Sequence, residues 1–271
     1  MNVWEGLGNA SVIDLSVVTS SDLPAAWPSH QQFSATVSHS FEQEASEVRS
    51  GCGGLGPYRT RYWVIDEHTG THFDAPAHFI PPPDSGLAWA SALGRESADQ
   101  VPLRELMGPA DVIDVTEMCG LGEKGTSPPI TERDIEAWEA VNGAIVPGDV
   151  VLFHTGWDRY YMPGAAGDGY CRIPFAGLAP GWPAPDPGTV VLLHSRGVRC
   201  VGIDAPSLGD TQDGTAVHRE GLSRGMRFVE LLTRLEDLPV RGAFFMFLPT
   251  RIADSSGAPG RAVAFIAAAP G

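Results

Sequence analysis

Three of the eight histidines and one aspartate lie within the stretch His68-Thr-Gly-Thr-His72-Phe-Asp74-Ala-Pro-Ala-His78. The i, i+4 spacing of His68 and His72 would suit one face of a helix, but Thr-Gly-Thr and the later Pro76 disfavour a helix. We therefore predict a loop that leaves a strand, in which His72 and Asp74 point to the same side of an extended segment. Two imidazoles and a carboxylate form a ligand set suited to zinc, manganese or iron.

Two roles are open to His78, which follows Asp74 by four residues beyond Pro76. It is either a fourth metal ligand or a general base beside the metal. Three protein ligands leave coordination positions for water and substrate, and a divalent metal lowers the pKa of bound water towards ~7. A neutral histidine within hydrogen-bond reach can then accept the proton. The pattern predicts a catalytic metal site rather than unrelated polar loop residues.

The composition excludes several classes of protein. Hydrophobic residues make up 43% and charged residues 19% of the 271-residue chain, as in an ordinary globular protein, and we predict one domain over residues 1–271. The formal net charge of −15, without a Lys/Arg cluster, argues against nucleic-acid and anionic-membrane partners. No secretion signal or bilayer-length apolar run is present, so the expected location is the cytoplasm. The four scattered cysteines form no CxxC pair, which disfavours thiolate zinc sites and disulfide frameworks.

Short β-branched or aromatic runs bounded by turn residues predict seven strands. They are Ser11–Val18, Thr60–Asp66, Asp111–Val115, Asp149–His154, Arg199–Asp204, Ala243–Leu248 and Ala262–Ile266. A helix is predicted over Glu132–Val141, where Thr131 is the expected N-cap and Asp134 completes a capping box. Two further helical patterns cover Thr189–Arg196 and Val217–Leu235, the second of them broken at Gly221 and Gly225. Strands and helices in this mixture predict one mixed α/β domain.

Two long segments, Pro28–Tyr58 and Tyr160–Asp186, are predicted as loops that line a site or a subunit contact. Among other residues, His30 and His39 are expected to face solvent, His154 and His194 to lie in the core or at a helix end, and Asp204 and Ser207 to order a loop near the site. Four aromatic residues flank the motifs, and one or two of them are expected to form a flat wall for an aromatic substrate. These are Trp63, Phe73, Phe79 and Trp157.

The run HTGTHFDAPAHF resembles the HxGTHxDxPxH signature of the cyclase-type metal-dependent hydrolases. That family includes bacterial kynurenine formamidase, isatin hydrolase and a trans-dienelactone hydrolase. The resemblance extends over nearly the whole chain. It also rests on Asp14-Leu15-Ser16, Trp27-Pro28, Thr155-Gly156-Trp157-Asp158, Val201-Gly202-Ile203-Asp204-Ala205-Pro206-Ser207, His218-Arg219 and Phe228-Val229-Glu230-Leu231-Leu232.

The resemblance implies roles for individual residues. His68, His72 and Asp74 match the metal ligands, and His78 matches the base. His218 and Glu230, twelve residues apart, match the His and Glu that hold a second ion in two-metal members, although Glu230 alone would be interpreted as a solvated helix residue. The cofactor implied is a divalent metal, Mn²⁺ or Zn²⁺, with one or two ions per chain. The fold implied is α/β of the swivelling β/β/α type, in a homo-oligomer of two or four chains.

The predicted activity is hydrolysis of a small molecule. Metal-activated water, with His78 as general base, is expected to open a cyclic amide, imide or lactone. The loop Leu208–Gly214 departs from the acidic, glycine-containing loop of many relatives, which leaves the substrate open. An arylformamidase that releases formate is the alternative within enzymes. A metal-binding protein without catalysis is the alternative from another class, and the presence of His78 disfavours it.

Overall fold

A ring of seven strands forms the centre of the computed structural model, which describes residues 8–25, 27–41 and 54–267. Within these ranges the strands, in chain order, are β1 Ser11–Asp14, β2 Ser34–Ser40, β3 Gly54–Leu55, β4 Thr60–Val64, β5 His72–Asp74, β6 Met107–Asp114, β7 Pro129–Ile130, β8 Val150–His154, β9 Ala184–Pro185, β10 Cys200–Ile203, β11 Arg227–Glu230, β12 Ala243–Pro249 and β13 Gly257–Ile266. The ring runs β13-β12-β6-β8-β10-β11-β5, and β5 closes it by pairing with β13. Strand β1 extends the sheet beside β13.

The ring is mixed in direction. Strands β6, β8, β10 and β11 are parallel to one another, whereas β5, β12 and β13 pair antiparallel with their neighbours. Strand β8, Val-Val-Leu-Phe-His, is buried over its first four residues, as expected for a parallel strand covered on both faces. Its side chains alternate between two cores: Val151 and Phe153 pack towards the helices, and Val150 and Leu152 pack with β12 and β13.

Four helices are described: α1 Glu132–Asn142, α2 Arg172–Phe175, α3 Pro187–Ser195 and α4 Gly214–Leu222. The prediction for α1 is confirmed, because the Thr131 N–H donates to Asp134 Oδ2 at 2.7 Å and the helix ends before Gly143. Helix α3 begins two residues before the predicted Thr189. Asp186 caps it by accepting the Thr189 N–H at 2.7 Å, and Pro187 occupies the first helical position. Together these helices and the ring confirm a mixed α/β domain.

The predicted helical pattern over Val217–Leu235 is wrong in its second half. Helix α4 ends at Leu222, Gly225 turns the chain with φ +72°, and β11 follows. The run Arg-Phe-Val-Glu is short, so the strand beside it decides its conformation. It pairs in parallel with β10 and is therefore a strand. This correction moves Glu230 from an expected solvated helix to a buried strand.

All seven predicted strands are present, with changed boundaries. The predicted strand at Thr60–Asp66 is confirmed only as β4, which lies in a separate three-stranded sheet, β3-β2-β4, and is exposed along its length. Pro28–Tyr58 is therefore not simply a loop, because it contains β2 and β3; its residues 42–53 lie outside the described part. Tyr160–Asp186 likewise contains α2 and β9. In the part of the chain that the structure describes, no helix combines the length and apolarity that crossing a membrane requires.

Candidate active site

Strand pairing brings the predicted ligands together from distant parts of the sequence. Strand β5 carries His72 and Asp74, and β11 ends with Glu230. The two strands pair antiparallel, with Glu230 directly opposite His72. Side chains opposite each other on one face of such a pair lie about 4.5–5.5 Å apart at Cβ. The register therefore places a carboxylate 158 residues away beside the signature histidine.

The alternation of β5 separates the site from the core. His72 and Asp74 point to one side, with His72 Nε2 3.5 Å from Asp74 Oδ1, which confirms the predicted extended conformation. Phe73, between them, points to the opposite side and packs against Phe247, with ring centroids 5.9 Å apart. A one-residue change of register would therefore turn the ligands into the apolar core and the phenyl ring towards the site.

The candidate ligand atoms converge in two groups that share Asp74. One group contains His68, Asp74 and His78, and the other contains His72, Asp74 and Glu230. His68 Nδ1 lies 2.9 Å from Asp74 Oδ1, and His72 Nε2 lies 3.5 Å from Glu230 Oε2. From the sequence, His72 is assigned to the same ion as His68, and Glu230 to a second ion. In the structure, His72 instead belongs to the group that contains Glu230.

His218 joins the second group from helix α4. Its Nε2 lies 3.3 Å from Asp74 Oδ2 and 3.2 Å from Glu230 Oε1. All of these side chains except His78 are more than nine-tenths buried. The structure thus brings together all six residues predicted as metal ligands or base, and Asp74 belongs to both groups of candidate ligands.

Hydrogen bonds to backbone carbonyls fix how two of the imidazoles face this cluster. His72 Nδ1 lies 2.8 Å from the Gly70 carbonyl, and His218 Nδ1 lies 2.6 Å from the Gly214 carbonyl. Because a carbonyl only accepts, both Nδ1 atoms carry hydrogen, and a neutral ring presents its Nε2 lone pair to the cluster. The same outer hydrogen bond orients metal-binding histidines generally.

With neutral rings, the cluster therefore consists of imidazole and carboxylate hydrogen-bond acceptors that face one another. Both carboxylate oxygens of Asp74 are buried and have no hydrogen-bond partner among the described residues. Buried acceptors left in this state are costly unless positive charge lies between them. The donor set, its burial and the orphaned Asp74 oxygens all fit a divalent cation.

The pKa values of His218 and Glu230 also indicate that the cluster requires positive charge. Burial disfavours the charged ring of His218, but the negative carboxylates of Asp74 and Glu230 beside Nε2 outweigh burial and raise the pKa of His218 to about 10. Burial and the nearby Asp74 act against ionisation of Glu230, yet its hydrogen bonds to His218 and His72 hold its pKa at about 2. Without a cation, a proton on His218 supplies the missing charge.

The pKa of His78 is shifted in the opposite direction to that of His218. It ends a short 3-10 turn that begins at Pro76, and its N–H donates to the Ala75 carbonyl at 2.9 Å. Its ring lies 4.0 Å from that of His68, centroid to centroid. Burial, opposed by Asp74, lowers the pKa of His78 to about 4. The ring is therefore neutral at neutral pH and able to accept a proton or to bind a metal.

A second layer of hydrogen bonds holds Glu230 in place. The Leu208 N–H donates to Glu230 Oε1 at 2.7 Å, and Ser207 Oγ donates to the same atom at 3.1 Å. Asp204 accepts the backbone N–H groups of Thr155 and Gly156, both at 2.9 Å. The prediction that Asp204 and Ser207 order the nearby loops is confirmed.

A cavity of about 310 Å³ opens onto the cluster. Of the four aromatic residues predicted as its wall, Phe79 lines it and stacks on His218, with centroids 4.4 Å apart. The others lie elsewhere. Trp63 is 68% exposed on β4, Phe73 is in the core, and Trp157 is in the core with its Nε1 donating to the Tyr170 carbonyl.

Several residues at the site were missed, among them Trp27, His30 and Gly257. Trp27 and His30 line the cavity, so the prediction that His30 faces bulk solvent is wrong. Gly257, at the start of β13, lies opposite Asp74, and a Cβ there would approach His68 Cε1 to 2.5 Å. Pro28 after Trp27 was a weak sequence indication of a fixed turn. Nothing in the sequence marks Gly257, because its role comes from contact with a residue 189 positions away.

Comparison with known proteins agrees with this geometry. The family model described as putative cyclase matches residues 13–210. An isatin hydrolase of Roseibium aggregatum is 31% identical over 220 residues, covering 78% of this chain and 76% of that protein. A kynurenine formamidase of Bacillus cereus is 27% identical over 254 residues, covering 93% and 95%. The solved structure of isatin hydrolase A from Labrenzia aggregata bound to benzyl benzoate superposes with a TM-score of 0.78 at 23% identity and covers 98% of each chain.

The α/β fold with its closed ring of strands, together with the buried imidazole–carboxylate cluster, defines a metal-dependent hydrolase. Because the family model covers most of the 271 residues, the chain belongs to the cyclase family. The family prediction made from the signature at His68–His78 is confirmed.

Proposed function

We propose that this enzyme hydrolyses a cyclic amide, imide or lactone, preferably one fused to an aromatic ring. The observation that carries the proposal is the cavity, which combines the donor cluster with the aromatic rings of Trp27 and Phe79. Its volume is at the lower end of the range typical of small-molecule sites. The isatin hydrolase relative, at 31% identity, supports a cyclic amide.

The proposed cofactor is Mn²⁺ or Zn²⁺, in one or two ions. His68 and Asp74 would hold one ion, and His72, His218 and Glu230 would hold the second with Asp74 shared between them; the two groups of ligand atoms support this division. When bound, a divalent ion polarises a carbonyl and lowers the pKa of water.

The residues of the chain supply the proton transfers and the orientation. Neutral His78 accepts a proton from water as the water oxygen bonds to the carbonyl carbon. The carbon–nitrogen bond of an amide, or the carbon–oxygen bond of a lactone, then breaks, and His78 returns the proton to the leaving atom. Ring opening thus gives one product that carries a carboxylic acid, which ionises to a carboxylate, and an amine from an amide, an amide from an imide, or a hydroxyl from a lactone. Trp27 and Phe79 hold the flat part of the substrate.

A formamidase activity is the second candidate, because kynurenine formamidases match this chain over 93% of its length. The test is a parallel assay of isatin, a dienelactone and N-formylkynurenine with metal-loaded enzyme. We expect the highest kcat/KM for a cyclic substrate. A clear preference for N-formylkynurenine would overturn the ring-opening proposal and leave the hydrolase class intact.

Several broader expectations remain proposals: the swivelling β/β/α type, a cytoplasmic location, the absence of nucleic-acid and membrane partners, and a homo-oligomer of two or four chains. For the last, we place the contact between copies on β4, whose Tyr62, Trp63 and Val64 are all more than half exposed. Light scattering on wild type and Trp63→Ser tests this placement. A monomeric wild-type protein, or an unchanged mass in the variant, would contradict it.

A further inference from the structure

The turn Trp27–His30 forms a fixed wall of the active-site cavity. The His30 N–H donates to the Trp27 carbonyl at 3.0 Å, and Pro28 occupies the second position of the turn, where proline is favoured. The Trp27 ring contacts Phe175 edge-on, with centroids 4.2 Å apart. Backbone and ring contacts therefore hold both Trp27 and His30 against the cavity.

One edge of the His30 ring is available inside that cavity. Its Nδ1 is buried, has no hydrogen-bond partner among the described residues and lies 3.9 Å from Asp66 Oδ1. The side chain is 26% exposed. His30 lines the cavity that contains the donor cluster, and in an imidazole ring the edge opposite Nδ1 is formed by Nε2 and Cδ2.

His30 differs in this respect from the cluster histidines. Backbone carbonyls fix the Nδ1–H tautomer of His72 and His218, whereas no hydrogen bond fixes His30. Its Nε2 is therefore free to carry hydrogen and donate it to an oxygen atom. Neither group of candidate metal ligands includes His30, whose ring lies 5.6 Å from that of His68, centroid to centroid.

We propose that His30 determines substrate specificity by donating a hydrogen bond, from Nε2, to an oxygen next to the hydrolysed carbonyl. The inference rests on the proposed ring-opening activity. The hydrolysed carbonyl has to lie at the donor cluster beside His68, and a ring separation of 5.6 Å places His30 about one small ring away. The preferred substrate is therefore a cyclic amide or imide with an oxygen on the atom adjacent to the carbon that water attacks.

The experiment compares two ring-opened acids by calorimetry on metal-loaded protein. Hydrolysis of isatin gives ortho-aminophenylglyoxylate, which has the adjacent oxygen, and ortho-aminophenylacetate lacks it. We expect wild type to bind the glyoxylate more tightly. His30→Leu should reduce that preference by about 10- to 100-fold, the effect of a lost hydrogen bond in a site built for it, and His30→Gln should restore part of it.

The controls separate this role from general damage. His194→Leu removes a histidine near the end of α3, outside the cavity, and should keep the wild-type preference. Metal content and melting temperature should be equal in all variants. An unchanged preference in His30→Leu, an equal loss in His194→Leu, or failure of wild type to bind the glyoxylate would each overturn the role of His30. Failure to open isatin despite selective binding would instead overturn the proposed activity.

Discussion

Replacing Glu230 by glutamine removes one charge from the donor cluster and keeps the shape of the side chain. Glu230 Oε1 accepts from Leu208 N–H at 2.7 Å and from Ser207 Oγ at 3.1 Å, and an amide oxygen can accept both hydrogen bonds. The new amide nitrogen would lie near His72 Nε2, now 3.5 Å from Oε2, and can donate to it. The variant should therefore fold.

We expect the substitution to lower the affinity for the metal rather than to prevent folding. Loss of an outer hydrogen-bonding partner alone usually costs about 10- to 100-fold in affinity or activity, and Glu230 is a candidate ligand itself. We expect Glu230→Gln to lower metal affinity and kcat/KM by at least ~100-fold, equivalent to about 2.7 kcal/mol. The metal-free variant should fold but melt somewhat lower than metal-free wild type, because His218 and His72 stabilise the ionised Glu230 carboxylate, whose pKa they hold at about 2.

The assay is metal content by elemental analysis after dialysis, together with kcat/KM and melting temperature with and without metal. Glu236→Gln is the matched control, since Glu236 is 57% exposed and lies outside the donor cluster. Wild-type metal content and turnover in Glu230→Gln would refute the assignment of Glu230 to the metal site. Failure of the metal-free variant to fold would refute the hydrogen-bond reasoning.

Four further outcomes follow from the same structure. Chelation should abolish activity and added Mn²⁺ or Zn²⁺ should restore it; full activity in protein shown to be metal-free would disprove the metal dependence. His78→Ala should lose ~10²–10⁴-fold in kcat and retain most of its metal, whereas a metal-free variant would make His78 a ligand. Gly257→Ala should lower kcat/KM by displacing the His68 ring, which elemental analysis and a crystal structure can check. Burial and the Asp149 carboxylate raise the pKa of Asp111 from 3.8 to about 6. The folded state therefore binds this proton more tightly than the unfolded state does. As a result, the free energy of unfolding falls as the pH rises from 3.8 to about 6. Urea titrations should show a shallower fall in Asp149→Asn, and an unchanged slope would contradict the coupling.

Local chemistry in the sequence was sufficient for much of the fold. The capping box at Thr131 and Asp134 and the β-branched runs predict their elements because these preferences act over a few residues. The prediction failed at Val217–Leu235, where helical spacing continues past Leu222 but pairing with β10 imposes a strand. It also failed for His30, because its environment depends on the distant His68 and Asp66.

The candidate metal site could be predicted from local sequence. Two histidines and an aspartate, in a stretch that Gly70 and Pro76 keep from being α-helical, form a mixed donor set suited to a divalent metal, and His78 beside them is the proposed base. How this donor set is completed depends on the tertiary structure. Pairing of β5 with β11 places Glu230 opposite His72, closure of the ring by β13 brings Gly257 against His68, and the turn at Trp27 turns His30 into the cavity. The physical reason is that strand register and ring closure are long-range pairings, fixed by which faces bury their apolar side chains, and no local pattern of residues contains them.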